Sequence, residues 1–116
     1  MELALKSDDE IRAVADPIMD NLMRASTAID YHRHTRDFTE RARSVLSSSA
    51  FECICRQYQQ TQGDFAERTF VAAFRRPASV AVVWRQTFTK APGDYVAEIV
   101  LVQRGDQTLV DHVMVF

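Results

Sequence analysis

The chain has 116 residues, 47% of them apolar and 26% charged, with a formal net charge of −2 and a pI near 5.9. That size and mixture fit one soluble globular domain over residues 1–116, built on a single core. They give no electrostatic footprint for a nucleic-acid partner and no apolar run of the roughly 20 residues that a bilayer span needs, so neither nucleic acid nor membrane is expected as a partner.

The N-terminus, Met-Glu-Leu-Ala-Leu-Lys, is too short and too acidic for a secretory leader, which makes a cytoplasmic location the expectation. Ser7-Asp8-Asp9-Glu10 fits a capping box opening the first helix, and its acidic residues suit the positive end of the helix dipole. Ile11, Val14, Ala15, Ile18 and Leu22 then recur at helical spacing, with Met19 and Met23 widening the stripe. Pro17 falls inside the pattern and predicts a kink over 13–17 without a break, because the stripe keeps its phase. Fraying is expected around Ala25–Ile29. Asp30 then caps a second helix from Tyr31, with Tyr31, Phe38, Ala42, Val45 and Leu46 on one face. Whether that helix continues to Leu46 or breaks near Phe38 stays open.

His32-Arg33-His34 with Asp37 brings two imidazoles and a carboxylate together. Without further ligands at metal spacing the segment reads as solvated helix surface, and no metal is expected. Arg33, Arg36, Arg41, Arg43, Arg75 and Arg76 read likewise as a solvated face. Ser49 and Glu52 fit another capping box, opening a third helix with Phe51, Ile54, Cys55 and Tyr58 on its inward face. Cys53 and Cys55 point roughly 200° apart on such a helix and read as core or boundary thiols, not as a bridge. Gly63 is the natural stop.

Four strands follow, Glu67–Arg75, Ser79–Lys90, Tyr95–Arg104 and Thr108–Phe116. The connections between them are too short for anything but antiparallel neighbours. Strict alternation puts Phe70, Ala72 and Phe74 opposite Thr69, Val71 and Ala73. It puts Val80, Val82, Trp84 and Phe88 opposite Arg85, Thr87 and Thr89. The third strand is apolar on both faces, which makes it central or part of a subunit contact. The last is ambiguous: Val110, His112, Met114 and Phe116 compete with Leu109, Asp111, Val113 and Val115 for the inward face. Three helices followed by a four-stranded antiparallel meander predict an α+β fold, with N-terminal helices packed on a curved sheet.

This order resembles the nuclear transport factor 2-like (cystatin-like α+β roll) superfamily, which includes scytalone dehydratase, ketosteroid isomerase and the SnoaL-like polyketide cyclases. It is most similar to small bacterial domains of unknown function in that group. The likeness rests on Asp30-Tyr31 and Asp37-Phe38, the basic stretch and Ser-capped helix after them, Gly63 with Phe65, and the aromatic strand Val82–Phe88. It implies a cone of helices and sheet whose interior often holds a ligand. The enzymes of the superfamily place an Asp/His pair, or Asp with Tyr, deep in that cone; no residue here maps onto that pattern one by one.

From the residues themselves, Asp111-His112 is the candidate for chemistry. Neighbours on a strand face opposite ways, so one of the two would be a polar group in an apolar interior, where burial shifts its pKa. Tyr31, Tyr58, Trp84 and Gln86 are the candidate pocket residues, Gln86 because it interrupts an apolar face and must find partners. Two functions follow. The first is a homodimer paired through its sheet, binding a small apolar ligand or a protein partner without catalysis and without a cofactor. The second is an isomerase, dehydratase or cyclase using Asp111 or His112 as base, with Tyr31 or Tyr58 polarising a carbonyl. An inward Asp111 or His112 bonded to a Tyr would favour the enzyme, and a cone filled by Trp84, Phe88 and Met side chains would count against it.

Overall fold

Ser7 and Glu10 form the expected reciprocal capping box, and from it α1 runs unbroken over Asp8–Ala28 in a computed structural model that describes residues 2–116. A short 3-10 turn, Leu3–Leu5, precedes it. Pro17 lies inside α1 and does not divide it. The stripe Ile11, Ala15, Met19 and Leu22 is almost wholly buried. The helix does not fray over 25–28. It ends on Ile29 in the left-handed region, where the Ile29 and Asp30 N–H groups return to Ser26 and Ala25 carbonyls.

The segment after it answers the open question by breaking. Asp30 accepts from the Arg33 N–H and starts α2, Tyr31–His34, which lasts a single turn. Thr39 caps α3, Glu40–Val45. Between them Phe38 makes an isolated parallel bridge to Val110, so residues 37–39 cover the edge of the last strand. Among the described residues there are thus four α-helices instead of three. The fourth, α4, covers Ser48–Thr61 and is capped by Ser47, whose hydroxyl accepts from the Ala50 N–H. The Ser49/Glu52 box is not used; Ser47 sits one turn from Ala50 and reaches its N–H first, and Glu52 instead pairs with Arg56. Gly63 ends α4 as expected, with φ +87°.

The strands are β1 Phe65–Arg75, β2 Val80–Phe88, β3 Tyr95–Arg104 and β4 Gln107–Val115, in one antiparallel sheet of order β1-β2-β3-β4. β3 is internal, as its apolar faces require. Val80, Val82 and Trp84 of β2 join Ala97, Ile99 and Leu101 of β3 on the inner face, and α1 packs on them to make the core. Together these layers are the α+β arrangement expected of helices followed by a meander.

Three bulges decide which side chains face inward. In β1, Phe70 pairs with Trp84 and Ala72 with Val83, so Val71 is an extra residue. Each bulge moves everything beyond it to the other face. Phe70 and Ala73 therefore face the core, while Ala72 and Phe74 face out; strict alternation had placed Phe70, Ala72 and Phe74 together. A second bulge lies between Phe65 and Arg68. In β4, Leu101 pairs with Val110 and Val100 with His112, leaving Asp111 extra. Both readings of that strand are thus half right: Val110 belongs to the inward face, and so do Val113 and Val115.

Candidate functional site

A cavity of about 610 Å³ opens between α2–α4 and the β4 side of the sheet. α1 supplies its floor through Met23 and Ser26; Phe38, Phe51 and Ile54 stand on the helical side, and Phe88, Val113 and Val115 on the sheet side. The inward face expected of α4 builds one wall, with Phe51 and Cys55 buried and Ile54 half exposed at the opening. Val45 and Phe116, also exposed apolar side chains, stand on the same rim. The lining is mainly apolar, with a few placed polar groups.

Two of these groups lie deep. Ser26 Oγ is 2.7 Å from the Tyr58 hydroxyl and 3.3 Å from Cys55 Sγ. Burial pushes the Tyr58 hydroxyl and the Cys55 thiol above their ordinary pKa values, so both stay neutral. The other deep group is His34, only 6% exposed. Its Nδ1 lies 3.0 Å from the Leu22 carbonyl oxygen, and its ring packs against Phe51 at 4.5 Å and Phe38 at 5.5 Å between centroids. Burial holds its pKa below the usual imidazole value, against the opposing pull of the Leu22 carbonyl. His34 is therefore neutral near pH 7. The expectation of solvated surface for this segment holds for His32 and fails for His34, because the cap at Asp30 turns α2 so that His34 faces α1 and α4.

The charged groups stay at the rim. Asp111, thrown outward by its bulge, accepts from Thr39 Oγ1 at 2.8 Å and from Arg41 Nε at 3.1 Å, and Arg41 also donates to the Asp111 carbonyl. Those bonds, Arg41 foremost, hold its carboxyl below the ordinary range. The outer face carries His112, whose Nε2 is 2.6 Å from Glu98 Oε2 on the adjacent strand. Neither bonds to a tyrosine. Arg41, Arg43 and Arg33 are not simply solvated: they donate to Asp111, the Thr35 carbonyl and Asn21.

Of the four expected pocket residues, Tyr58 lines the cavity. Tyr31 stands behind the wall, edge-on to Phe51, with its hydroxyl donating to the Leu46 carbonyl. Trp84 is core; its Nε1 donates to Asp16 at 3.0 Å, and the Arg68 guanidinium lies over its ring. Gln86 faces inward and supports the bulge between Phe65 and Arg68, donating to the Ala66, Glu67 and Thr87 carbonyls at 3.0–3.3 Å, and it borders a separate, more open pocket with Asp20 and Arg68. Sequence reasoning missed His34, Ser26, Phe38 and Cys55 as site residues. Only the Phe51/Cys55/Tyr58 spacing offered a signal.

Among the described residues no group of three or more His, Cys, Asp and Glu side chains could hold a metal ion, and no helix is long and apolar enough to cross a membrane.

No protein-family model matches the chain, and no curated protein matches it in sequence. Its fold is similar to solved structures. One is a SEC-C motif containing protein from Rhodopseudomonas palustris, with TM-score 0.62 and 11% identity over 86% of this chain and 77% of that one. Another is Bdellovibrio bacteriovorus Bd1075, with TM-score 0.54 and 11% identity over 92% of this chain; the match spans only 40% of Bd1075. A DUF4783 family protein from Bacteroides ovatus, at TM-score 0.48, is too distant to argue from. At such identities the likeness speaks to fold alone.

Proposed function

We propose that this is a non-catalytic binding domain of the nuclear transport factor 2-like type, which takes a small apolar ligand in the cavity and pairs with a second copy through the outer face of its sheet. The observation that carries the reading is the cavity: about 610 Å³, apolar, with neutral polar groups at its depth and its charges at the rim. That volume lies within the roughly 300–1,000 Å³ of small-molecule sites. The isomerase, dehydratase or cyclase reading has less support. Asp111 is tied to Arg41 and Thr39 and His112 to Glu98, while the Tyr31 and Tyr58 hydroxyls bond to Leu46 and Ser26.

A titration with butylbenzene, followed by amide NMR, tests the ligand reading. Shifts concentrated in Met23, Phe51, Ile54 and Val113 are expected. They should weaken in Ala50→Trp, which narrows the opening from an exposed helix position. Shifts scattered over the surface, or the same response in Ala50→Trp, would sink the reading.

A further inference from the structure

We infer that the cavity selects a neutral ligand with an apolar body and one hydroxyl, and that His34 Nε2 accepts the hydrogen bond from that hydroxyl. The inference rests on the binding reading above and names the class of ligand.

A carbonyl oxygen can only accept, so the 3.0 Å contact with Leu22 fixes the proton of a neutral His34 on Nδ1. Nε2 is then a bare lone pair. Among the described residues it has no hydrogen-bond partner, although its residue is more than nine-tenths buried and lines the cavity. Phe38 and Phe51, flanking the ring, supply only apolar contact. Nε2 itself is not sealed off, so a donor that enters the cavity can reach its lone pair.

The rest of the lining narrows the donor's chemistry. Arg41 and Asp111 are paired with each other at 3.0 Å, so no uncommitted charge awaits a carboxylate or an ammonium group. The Ser26, Tyr58 and Cys55 groups already bond among themselves. What remains is an apolar volume that holds the unmet lone pair of His34 Nε2, with the half-buried Gln62 amide also on the lining. A phenol or an alcohol matches it; a hydrocarbon or an ether fills the volume and leaves Nε2 unmet.

The test compares 4-butylphenol with its methyl ether, 4-butylanisole, by calorimetry at pH 7.5, where the phenol is neutral. The phenol should bind roughly threefold to tenfold more tightly, the worth of one neutral hydrogen bond. In His34→Phe, which keeps a ring against Phe51, that preference should vanish while the ether binds as before. Since the variant also loses the bond to Leu22, a second measurement uses the unaltered protein: the ¹⁵N resonance of His34 Nε2 should move upfield with the phenol and stay put with the ether. Equal binding of phenol and ether, or an Nε2 signal unmoved at saturating phenol, overturns the inference and leaves the cavity as an unselective apolar site. Failure of phenol, ether and butylbenzene alike overturns the binding reading itself.

Discussion

His34 shows how one buried titratable side chain links stability to pH. Its pKa is lowered in the folded state by burial, while in the unfolded chain it titrates near 6.5. Between those values the unfolded chain binds the extra proton, so stability rises with pH. The contribution is complete above about pH 6.5 and is lost as pH falls through that value towards the lower folded pKa. Urea unfolding of the native protein and of His34→Phe at pH 5, 6 and 7.5 should show the native protein losing ground to the variant as pH drops. A constant difference across the series would mean that His34 does not resist protonation. At the cavity rim, Arg41 and Asp111 are already paired with each other.

At the scale of elements, termini and bulges do the positioning. Gly63 closes α4 at φ +87°, and a Cβ there would lie 2.3 Å from Thr89 Oγ1 and 3.0 Å from the Lys90 amide nitrogen. Thr89 Oγ1 itself accepts the Asp64 N–H, so it cannot withdraw freely. Gly63→Ala should therefore destabilise by about 2–3 kcal/mol, from conformational strain and steric overlap together. Gly105→Ala, with φ +61° but open space around it, should cost only about 1 kcal/mol. Chemical denaturation of both variants measures the gap; equal losses would refute the steric account. The caps at Ser7, Asp30 and Gly63 were legible because they depend on residues a few positions apart. The bulges at Val71 and Asp111 were not, since each expresses how a whole strand meets its neighbour.

The whole molecule presents two different surfaces. The inner face of the sheet is filled by α1, by Trp84 and by Met19, and the cavity lies to one side of that core. Among the described residues no helix covers the outer face. Phe74 is 53% exposed and Met114 49%, with Val83, Val96 and Val100 between them and the His112–Glu98 pair among them. An apolar face of this kind is the surface on which the proposed second copy would sit. Sedimentation equilibrium should find a dimer, and Phe74→Glu with Val100→Lys should return it to monomer without altering butylbenzene binding. A native protein that stays monomeric at high micromolar concentration would remove the dimer and leave the cavity reading untouched.

The sequence by itself determined the α+β architecture and the antiparallel order of the strands, and it narrowed β3 to a central strand or a subunit contact. Helical periodicity, strand alternation and turn length are all local quantities. It could not determine the site. Trp84 looked like a pocket residue and became core, and Gln86 became bulge support that borders a separate pocket on the β1 side. Asp111 and His112 looked like chemistry and became a rim tie and an outer-face pair. His34 looked like surface and became the buried acceptor. Each reversal came from tertiary structure, because an inserted residue in one strand or a one-turn helix redirects a side chain only relative to elements tens of residues away.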